Sequence, residues 1–225
     1  MVTDAIHEHG NLAAIQLAHN GLHSANRYSR IAPIAPSAAV VDSYDPVQAR
    51  AMDKADIAAF RKWHVDATLR AKGAGFDIIY AYAGHDMTLL QHFMLARHNH
   101  RTDAYGGSFE NRLRLFREVI EDTKEAVGDT CAVAVRLAVD ELIGEDGPQH
   151  DAEARDIIEA LAELPDLWDV NLSGWSNDSQ TSRFSDEGFQ EKFTGFVKSV
   201  TTKSVVGVGR YTSPDTMARV IKGGH

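Results

Sequence analysis

Cys131-Ala-Val-Ala-Val-Arg-Leu137 is a run in which most residues are small or β-branched. A short apolar run of this kind is typical of a strand that is buried on both faces. Amphipathic segments with helical spacing precede it at 108–127 and follow it at 151–163. Strands that are buried on both faces and separated by helices form parallel sheets. This stretch therefore predicts an α/β protein.

The same alternation continues in both directions along the chain. Four further apolar runs predict strands: Leu12–Leu17, Phe76–Tyr82, Leu167–Ser173 and Ser204–Val208. The other segments with helical spacing are 53–73, 187–200 and 213–222. Ser108 precedes one helix as a predicted cap, and Ser213 with Pro214 opens the last one, where the missing N–H of proline costs nothing. The pattern predicts a parallel sheet that is either doubly wound or closed into a barrel.

The turn after the first strand favours the barrel. It reads Gln16-Leu-Ala-His-Asn-Gly21 and lacks the glycine-rich fingerprint of dinucleotide-binding folds. A (β/α)8 barrel has eight strands and the chain predicts five, so we expect further strands on both sides. The prediction is a partial barrel that forms one domain over residues 1–225. Residues 20–52, punctuated by three prolines, are predicted to form a long loop on the active-site face.

Composition excludes several classes of protein. A formal net charge of -9 at pH 7 argues against binding nucleic acid through phosphate neutralisation. Cys131 is the single cysteine, so neither a disulfide framework nor a cysteine-ligated metal site is expected, and we predict no metal. No apolar stretch approaches the length of a membrane span, and the first residues do not resemble a signal peptide. These features predict a cytoplasmic protein that does not bind membranes.

Polar residues at strand ends are the first candidates for a site. Gln16 and Arg136 each share a strand face with small or apolar residues and come near the C-terminal end of their strands. In barrels the C-terminal strand ends hold the active site, so both side chains could contact one ligand. The alternative is that each pairs with a neighbouring carboxylate such as Asp140.

A second group follows two strands that contribute to a common layer of a barrel. Tyr82 and His85 follow one of these strands, and Trp175 and Asp178 follow the other. A phenol, an imidazole and a carboxylate within reach of one another form a proton-handling arrangement. The alternative is a surface histidine beside a core aromatic.

Two loops complete the candidates. Gly207-Val-Gly-Arg-Tyr211 could bind phosphate through Gly209 and Arg210, or could be a plain strand-to-helix turn. The stretch 99–112 is crowded with polar residues and contains a double glycine, which indicates a tightly hydrogen-bonded connection with a mostly structural role.

Residues 101–112 carry a family resemblance. Arg101-Thr-Asp-Ala-Tyr-Gly-Gly-Ser-Phe-Glu-Asn-Arg112 closely resembles the RTDxYGGSxENR signature of the Old Yellow Enzyme-like FMN oxidoreductases. The stretches 16–21 and 207–212 resemble two further motifs of that family in the right order. The resemblance runs through the whole chain and implies strands three to seven of a (β/α)8 barrel, with strands one, two and eight absent.

The residues after the second predicted strand indicate a branch of this family. Ene-reductases usually carry His-x-x-His or His-x-x-Asn followed by a proton-donating tyrosine, whereas this chain has Tyr82-Ala-Gly-His85 and then Met87. A thioether cannot donate that proton. The pair is similar to that of the trimethylamine, dimethylamine and histamine dehydrogenases. The resemblance implies a triad of Tyr82, His85 and Asp178, with Trp175 in an aromatic bowl for the amine.

The resemblance also implies a cofactor and partners. FMN would be held by Gln16 at the ring, Arg136 near its N1–O2 edge, and Gly209 and Arg210 at the phosphate. The reaction would be oxidation of a small methylated amine, by an amine dehydrogenase or N-demethylase, with an electron-acceptor protein as partner. A 4Fe-4S cluster is expected only in the full-length parent, because its ligands are absent here. The alternatives are an NAD(P)H-dependent ene-reductase and a catalytically inactive fragment, and homo-oligomerisation is left open.

Overall fold

The computed structural model describes residues 2–24, 28–41, 47–149 and 152–224. The chain divides into two compact units. The first unit comprises residues 1–83 and 87–134, and the second comprises residues 84–86 and 135–225. Strand β6, Ala132–Ala138, runs from the first unit into the second.

The first unit combines helices with strands of two sheets. Its helices are α1 Val2–His7, α2 Lys54–Gly73, α3 Leu89–Met94 and α4 Phe109–Val127. Its strands are β1 Ala14–Leu17, β2 Ile34–Ala35, β3 Ala39–Val40, β4 Gln48–Ala51 and β5 Ile78–Ala83. β1 pairs in parallel with β5, and the sheet continues from β5 to β6. The register aligns Gln16 with Tyr80, so Gln16, Tyr80 and Tyr82 lie on one face of this pair.

The second unit continues the same sheet through β6, β7 and β8. β7 is Leu167–Asn171 and β8 is Ser204–Gly207, and these two strands pair in parallel. The helices are α5 Glu153–Leu161, α6 Glu191–Val200 and α7 Pro214–Lys222. Trp168, Val170, Phe193 and Val197 are buried, which places the core of this unit at the sheet and α6. The predicted α/β class, the five strands and the helices between them are confirmed.

Two helices begin at the capping residues that the sequence predicts. Ser108 accepts a hydrogen bond from the backbone N–H of Asn111, and Ser213 accepts one from Thr216 with Pro214 at the first helical position. Along α4 the buried residues include Leu113, Phe116 and Ile120, which is the spacing of a single apolar stripe. None of the described helices is long and apolar enough to cross a membrane.

The prediction for residues 20–52 was wrong in part. The described residues of this region include β2, β3 and β4, which form a small sheet in the order β2-β4-β3. β2 pairs with β4 in parallel and β3 pairs with it in antiparallel fashion. These strands have two to four residues, too short for a periodic pattern to be visible in the sequence. Part of this region, 25–27 and 42–46, lies outside the described residues. The short helix α3 was also not predicted.

Candidate active site

Four of the predicted site residues line one pocket of the second unit. His85, Arg136, Asp178 and Arg210 contribute to a cavity of about 320 Å³. Its other lining residues are Asn171, Leu172, Thr181, Ser182, Gln190 and Val208. This volume is at the lower end of the range of small-molecule sites. The pocket combines two guanidinium groups, an imidazole, a carboxylate and two hydroxyls.

His85 is held in an uncommon backbone conformation. Its φ is +61° and that of Asp86 is +54°, a region that residues with a side chain rarely adopt. The carbonyl of His85 accepts a hydrogen bond of 2.8 Å from the N–H of Trp175, and His85 forms a parallel bridge with Gly174. His85 lines the pocket, and a residue in this conformation at a pocket wall is typical of a functional site.

The imidazole of His85 has an amide as its partner. The Nδ2 atom of Asn171 lies 2.6 Å from Nε2 of His85. Burial is the main influence on this ring and lowers the pKa of His85. The charge of Asp178 opposes this shift, and that of Arg136 adds to it. Burial and the charge of Arg136 therefore both favour the neutral imidazole.

Arg136 lies on the same sheet face as Asp169 and Asn171. Its Nε is 3.9 Å from Oδ2 of Asp169 in the adjacent strand. Burial raises the pKa of Asp169, and the charge of Arg136 works in the opposite direction. Asp169 is thus a carboxylate near Arg136 that the sequence did not single out. The side chain of Asp140 accepts a hydrogen bond from the N–H of Leu142.

Asp178 is placed by a helical segment after β7. A 3-10 turn, Trp175–Asn177, leads into it, and a π-helical turn, Gln180–Phe184, follows. Its carboxylate is near the hydroxyls of Ser173 and Ser182, at 3.5 and 3.4 Å. Trp175 is 64% exposed and does not line the pocket described here. Its side chain is therefore exposed at the surface.

The loop at the end of β8 is bound mainly to its own unit. The carbonyl of Gly209 accepts a hydrogen bond of 2.7 Å from Gly188, and the guanidinium of Arg210 donates to the carbonyl of Ser185. A Cβ atom on Gly207 would come within 2.7 Å of the Thr194 hydroxyl, so packing against α6 explains that glycine. Gly209 and Arg210 also line a second cavity, of about 530 Å³, with Tyr211, Met217 and Ile221.

Gln16 and Tyr82 belong to the first unit. Gln16 is exposed and Tyr82 is half-buried, and both lie on the same face of the β1–β5 pair. Their roles in binding the flavin and handling a proton stay predictions.

The signature loop at 99–112 makes its described contacts within the first unit. Arg101 donates to the carbonyls of Pro36 and Met52 and pairs with Asp103, while Asn99 donates to the carbonyls of Phe93 and Tyr105. The Tyr105 hydroxyl donates to Glu118 at 3.0 Å. These bonds agree with the structural role inferred from the sequence.

The two amide side chains of the pocket, Asn171 and Gln190, were not predicted. Asn171 ends β7 and shares a face with Asp169, so the rule that selected Gln16 and Arg136 would have found it. Gln190 is almost fully buried and precedes α6 after a long irregular segment. No sequence pattern indicates its position, because the path of residues 174–190 decides it.

Comparison with known proteins gives concordant matches. The family model described as "NADH:flavin oxidoreductase / NADH oxidase family" matches residues 1–225. Dimethylamine dehydrogenase of Hyphomicrobium sp. (strain x) is 35% identical over 232 residues, which is 99% of this chain and 31% of that protein.

Two solved structures are also similar. The 6-hydroxypseudooxynicotine amine oxidase from Pseudomonas geniculata N1 has a TM-score of 0.94 and 52% identity, covering 99% of this chain and 34% of that one. The histamine dehydrogenase from Rhizobium sp. 4-9 has a TM-score of 0.92 and 50% identity, covering 99% and 32%. The chain spans about a third of the length of these relatives. The resemblance seen in residues 101–112 is confirmed, and the chain belongs to the NADH:flavin oxidoreductase / NADH oxidase family.

Proposed function

We propose that this chain is part of an FMN-dependent oxidoreductase that oxidises the C–N bond of a small amine. The observation that carries the proposal is the pocket in which His85, Asp178 and Arg136 meet. The similarity to proteins named dimethylamine dehydrogenase, histamine dehydrogenase and amine oxidase supports the choice of substrate class.

The residues of the pocket fit an anionic, partly polar cofactor such as FMN. Two guanidiniums, of Arg136 and Arg210, face one cavity. Guanidinium groups suit phosphate and carbonyl oxygens, and Arg136 would offset negative charge at the ring edge. Gly209 and Arg210 would hold part of the phosphate, and Gln16 would hydrogen-bond the ring. FMN, when bound, supplies the acceptor of the two electrons removed from the amine.

The remaining residues would orient the amine and control its proton. Trp175 would present its π surface to the alkylated or cationic nitrogen. Tyr82, His85 and Asp178 would form the proton-handling group. A neutral His85 would not repel a cationic amine and would not compete with the amine for the carboxylate of Asp178. We further propose a cytoplasmic location and a separate electron-acceptor protein as partner. A 4Fe-4S cluster would belong to the longer parent.

An ene-reductase is the second candidate function. The family description, with its NADH-dependent members, favours it. Against it stands Met87, which occupies the place where the resemblance would put a proton-donating tyrosine. A catalytically inactive barrel fragment is the third.

Anaerobic reduction of FMN separates the three candidates. The chain is mixed with excess FMN and either a panel of methylated and primary amines or NADPH, and flavin absorbance is followed. Amine-dependent bleaching above the rate of FMN alone, lost in His85→Gln, supports the proposal. Bleaching by NADPH with turnover of an enone would replace it with the ene-reductase, and no reduction by either donor would indicate an inactive fragment.

A further inference from the structure

A buried amide contacts the imidazole at the centre of the pocket. Asn171 is 3% exposed, and its Nδ2 is 2.6 Å from Nε2 of His85. An amide nitrogen only donates, so Nε2 of His85 is the acceptor in this bond. A neutral imidazole with an acceptor at Nε2 carries its proton on Nδ1.

The surroundings of His85 favour this single state. The backbone is fixed by the Trp175 N–H bond to its carbonyl and by the bridge to Gly174, so the ring has little freedom to turn away from Asn171. Arg136 and Asp178 are the charged groups that act on the ring, and Arg210 lines the same pocket. Burial disfavours the imidazolium form. The neutral ring therefore needs a defined tautomer, and Asn171 supplies the contact that selects one.

We propose that Asn171 is a positioning residue that holds His85 as the neutral Nδ1–H tautomer. His85 then offers a hydrogen-bond donor to its other neighbours, while its basic lone pair at Nε2 is engaged by the amide. In the proposed amine oxidation His85 orients and donates, and it does not act as the general base. This last step rests on the proposed function, whereas the tautomer assignment does not.

The opposite amide orientation is the competing arrangement. With Oδ1 of Asn171 facing His85, Nε2 would carry the proton and Nδ1 would be the free base. The two arrangements differ in which ring nitrogen is protonated, which is directly measurable.

The tautomer is read by NMR on the 225-residue chain with 15N-labelled histidine. Long-range 1H–15N correlation spectra are recorded at a pH where His85 is neutral, and its signals are assigned with His85→Gln. We expect a protonated Nδ1 and an unprotonated Nε2. A dominant Nε2–H form in the wild-type chain would overturn the proposal.

Two variants test whether Asn171 is the cause. Asn171→Leu should give a mixture of both tautomers, and a spectrum unchanged from wild type would refute the positioning role. Asn171→Asp keeps the shape of the side chain but replaces the amide donor with a carboxylate, which only accepts. Because a nearby negative charge stabilises the imidazolium form, the titration midpoint of His85 should rise by about 1–3 pH units. An unchanged titration midpoint of His85 in Asn171→Asp would also contradict the proposal. This variant keeps the proposal testable if Asn171→Leu does not fold.

The matched control is Asn177, an amide of the same unit that donates to the carbonyl of Glu141 at 2.9 Å. Asn177→Leu should leave the His85 tautomer unchanged, whereas a mixture like that of Asn171→Leu would mean that His85 reports general disturbance of the unit. The NMR readout is independent of amine turnover. A chain that shows the Nδ1–H tautomer and reduces no FMN would refute the proposed function alone.

Discussion

His85 is the residue on which the proposed chemistry depends. Replacing it with Gln removes the imidazole but keeps a polar side chain, and Tyr82→Phe removes only a hydroxyl. Because proton handling matters in the transition state, we expect a fall in kcat of about 10²–10⁴ with little change in KM. Steady-state kinetics with the preferred amine, in the longest catalytically competent form of the protein, measure both constants.

His9→Gln is the control for this experiment, because His9 is exposed in a turn after α1. It should leave kcat unchanged. A His85→Gln enzyme that differs only in KM would contradict the assignment.

The pair of Arg136 and Asp169 makes a second prediction at this scale. Arg136→Leu leaves Asp169, whose side chain is 13% exposed, without its neighbouring cation, and the free energy of unfolding at pH 7 should fall by about 1–3 kcal/mol, less than for a fully buried pair because Arg136 is partly exposed. The pKa of Asp169 is already raised by burial and should rise further.

The pH dependence follows from the direction of that shift. A carboxyl with a raised pKa in the folded state opposes folding when it is ionised, so the loss should shrink as pH falls through its folded pKa. Urea unfolding at about pH 7 and about pH 5 tests this. Adding Asp169→Leu should restore much of the lost stability, and a strictly additive double variant would mean that the two residues are not coupled.

His64 is a buried histidine in α2 of the first unit. Burial lowers its pKa from 6.5 to about 4, and its Nε2 is buried without a hydrogen-bond partner among the described residues. The unfolded chain binds this proton more readily, so stability should be lost as pH falls from about 6.5 through 4, by up to about 3 kcal/mol. In His64→Leu the unfolding free energy should depend less on pH in this range, as measured by urea denaturation, and a pH dependence unchanged from wild type would contradict the prediction.

At the scale of elements, the signature loop and two helices are joined by hydrogen bonds. Tyr105 of the loop donates to Glu118 of α4, and Arg61 of α2 donates to the same carboxylate at 3.0 Å and to Asp122. Removing the hydroxyl in Tyr105→Phe leaves Glu118 with its arginine. We expect a loss of about 0.5–1.5 kcal/mol in the free energy of unfolding, measured by urea denaturation. An unchanged free energy of unfolding in Tyr105→Phe would mean that the bond to Glu118 adds nothing.

At the scale of the whole molecule, the five-stranded sheet has two edge strands among the described residues, β1 and β8. In the part of the chain that is described, β1 and β8 each have a hydrogen-bonded neighbour on one side only. Val206 of β8 and Met217 and Ile221 of α7 are exposed apolar side chains near that edge. Open edges of this kind promote association, so we expect concentration-dependent oligomers in light scattering after gel filtration.

Val206→Lys should reduce this association, because a charge on an edge strand opposes pairing. Val2→Lys adds the same charge at an exposed position of α1 and should not. A strictly monomeric wild-type chain at all concentrations would contradict the prediction.

The same open sheet should weaken cofactor binding. Arg210 is exposed and already bonded to the carbonyl of Ser185, so a phosphate would be held in a wet, screened site. We expect the purified chain to be colourless, because its dissociation constant for FMN should lie far above the micromolar range. A micromolar dissociation constant corresponds to a binding free energy of about -8 kcal/mol. Fluorescence titration measures it, and a yellow monomer that retains stoichiometric FMN through gel filtration would be the opposite result.

The sequence by itself determined the fold class and the family. An apolar run such as 131–137 must be buried on both faces wherever it occurs in a fold. The caps at Ser108 and Ser213 act within one helical turn. Strand burial and helix capping can therefore be predicted from a short stretch of sequence. The motif at 101–112 is likewise contiguous. Short strands such as β2 and β3 were not predicted, because a strand of two residues is too short to show an alternating pattern.

Only the tertiary structure decided the partners of the candidate residues. Asp169 lies near Arg136 because the pairing of neighbouring strands sets that distance. Asn171 reaches His85 across a separation of 86 residues, and Gln190 reaches the pocket through an irregular segment. Contacts between side chains distant in sequence depend on strand register and loop path, and these follow from packing the whole unit rather than from any local pattern.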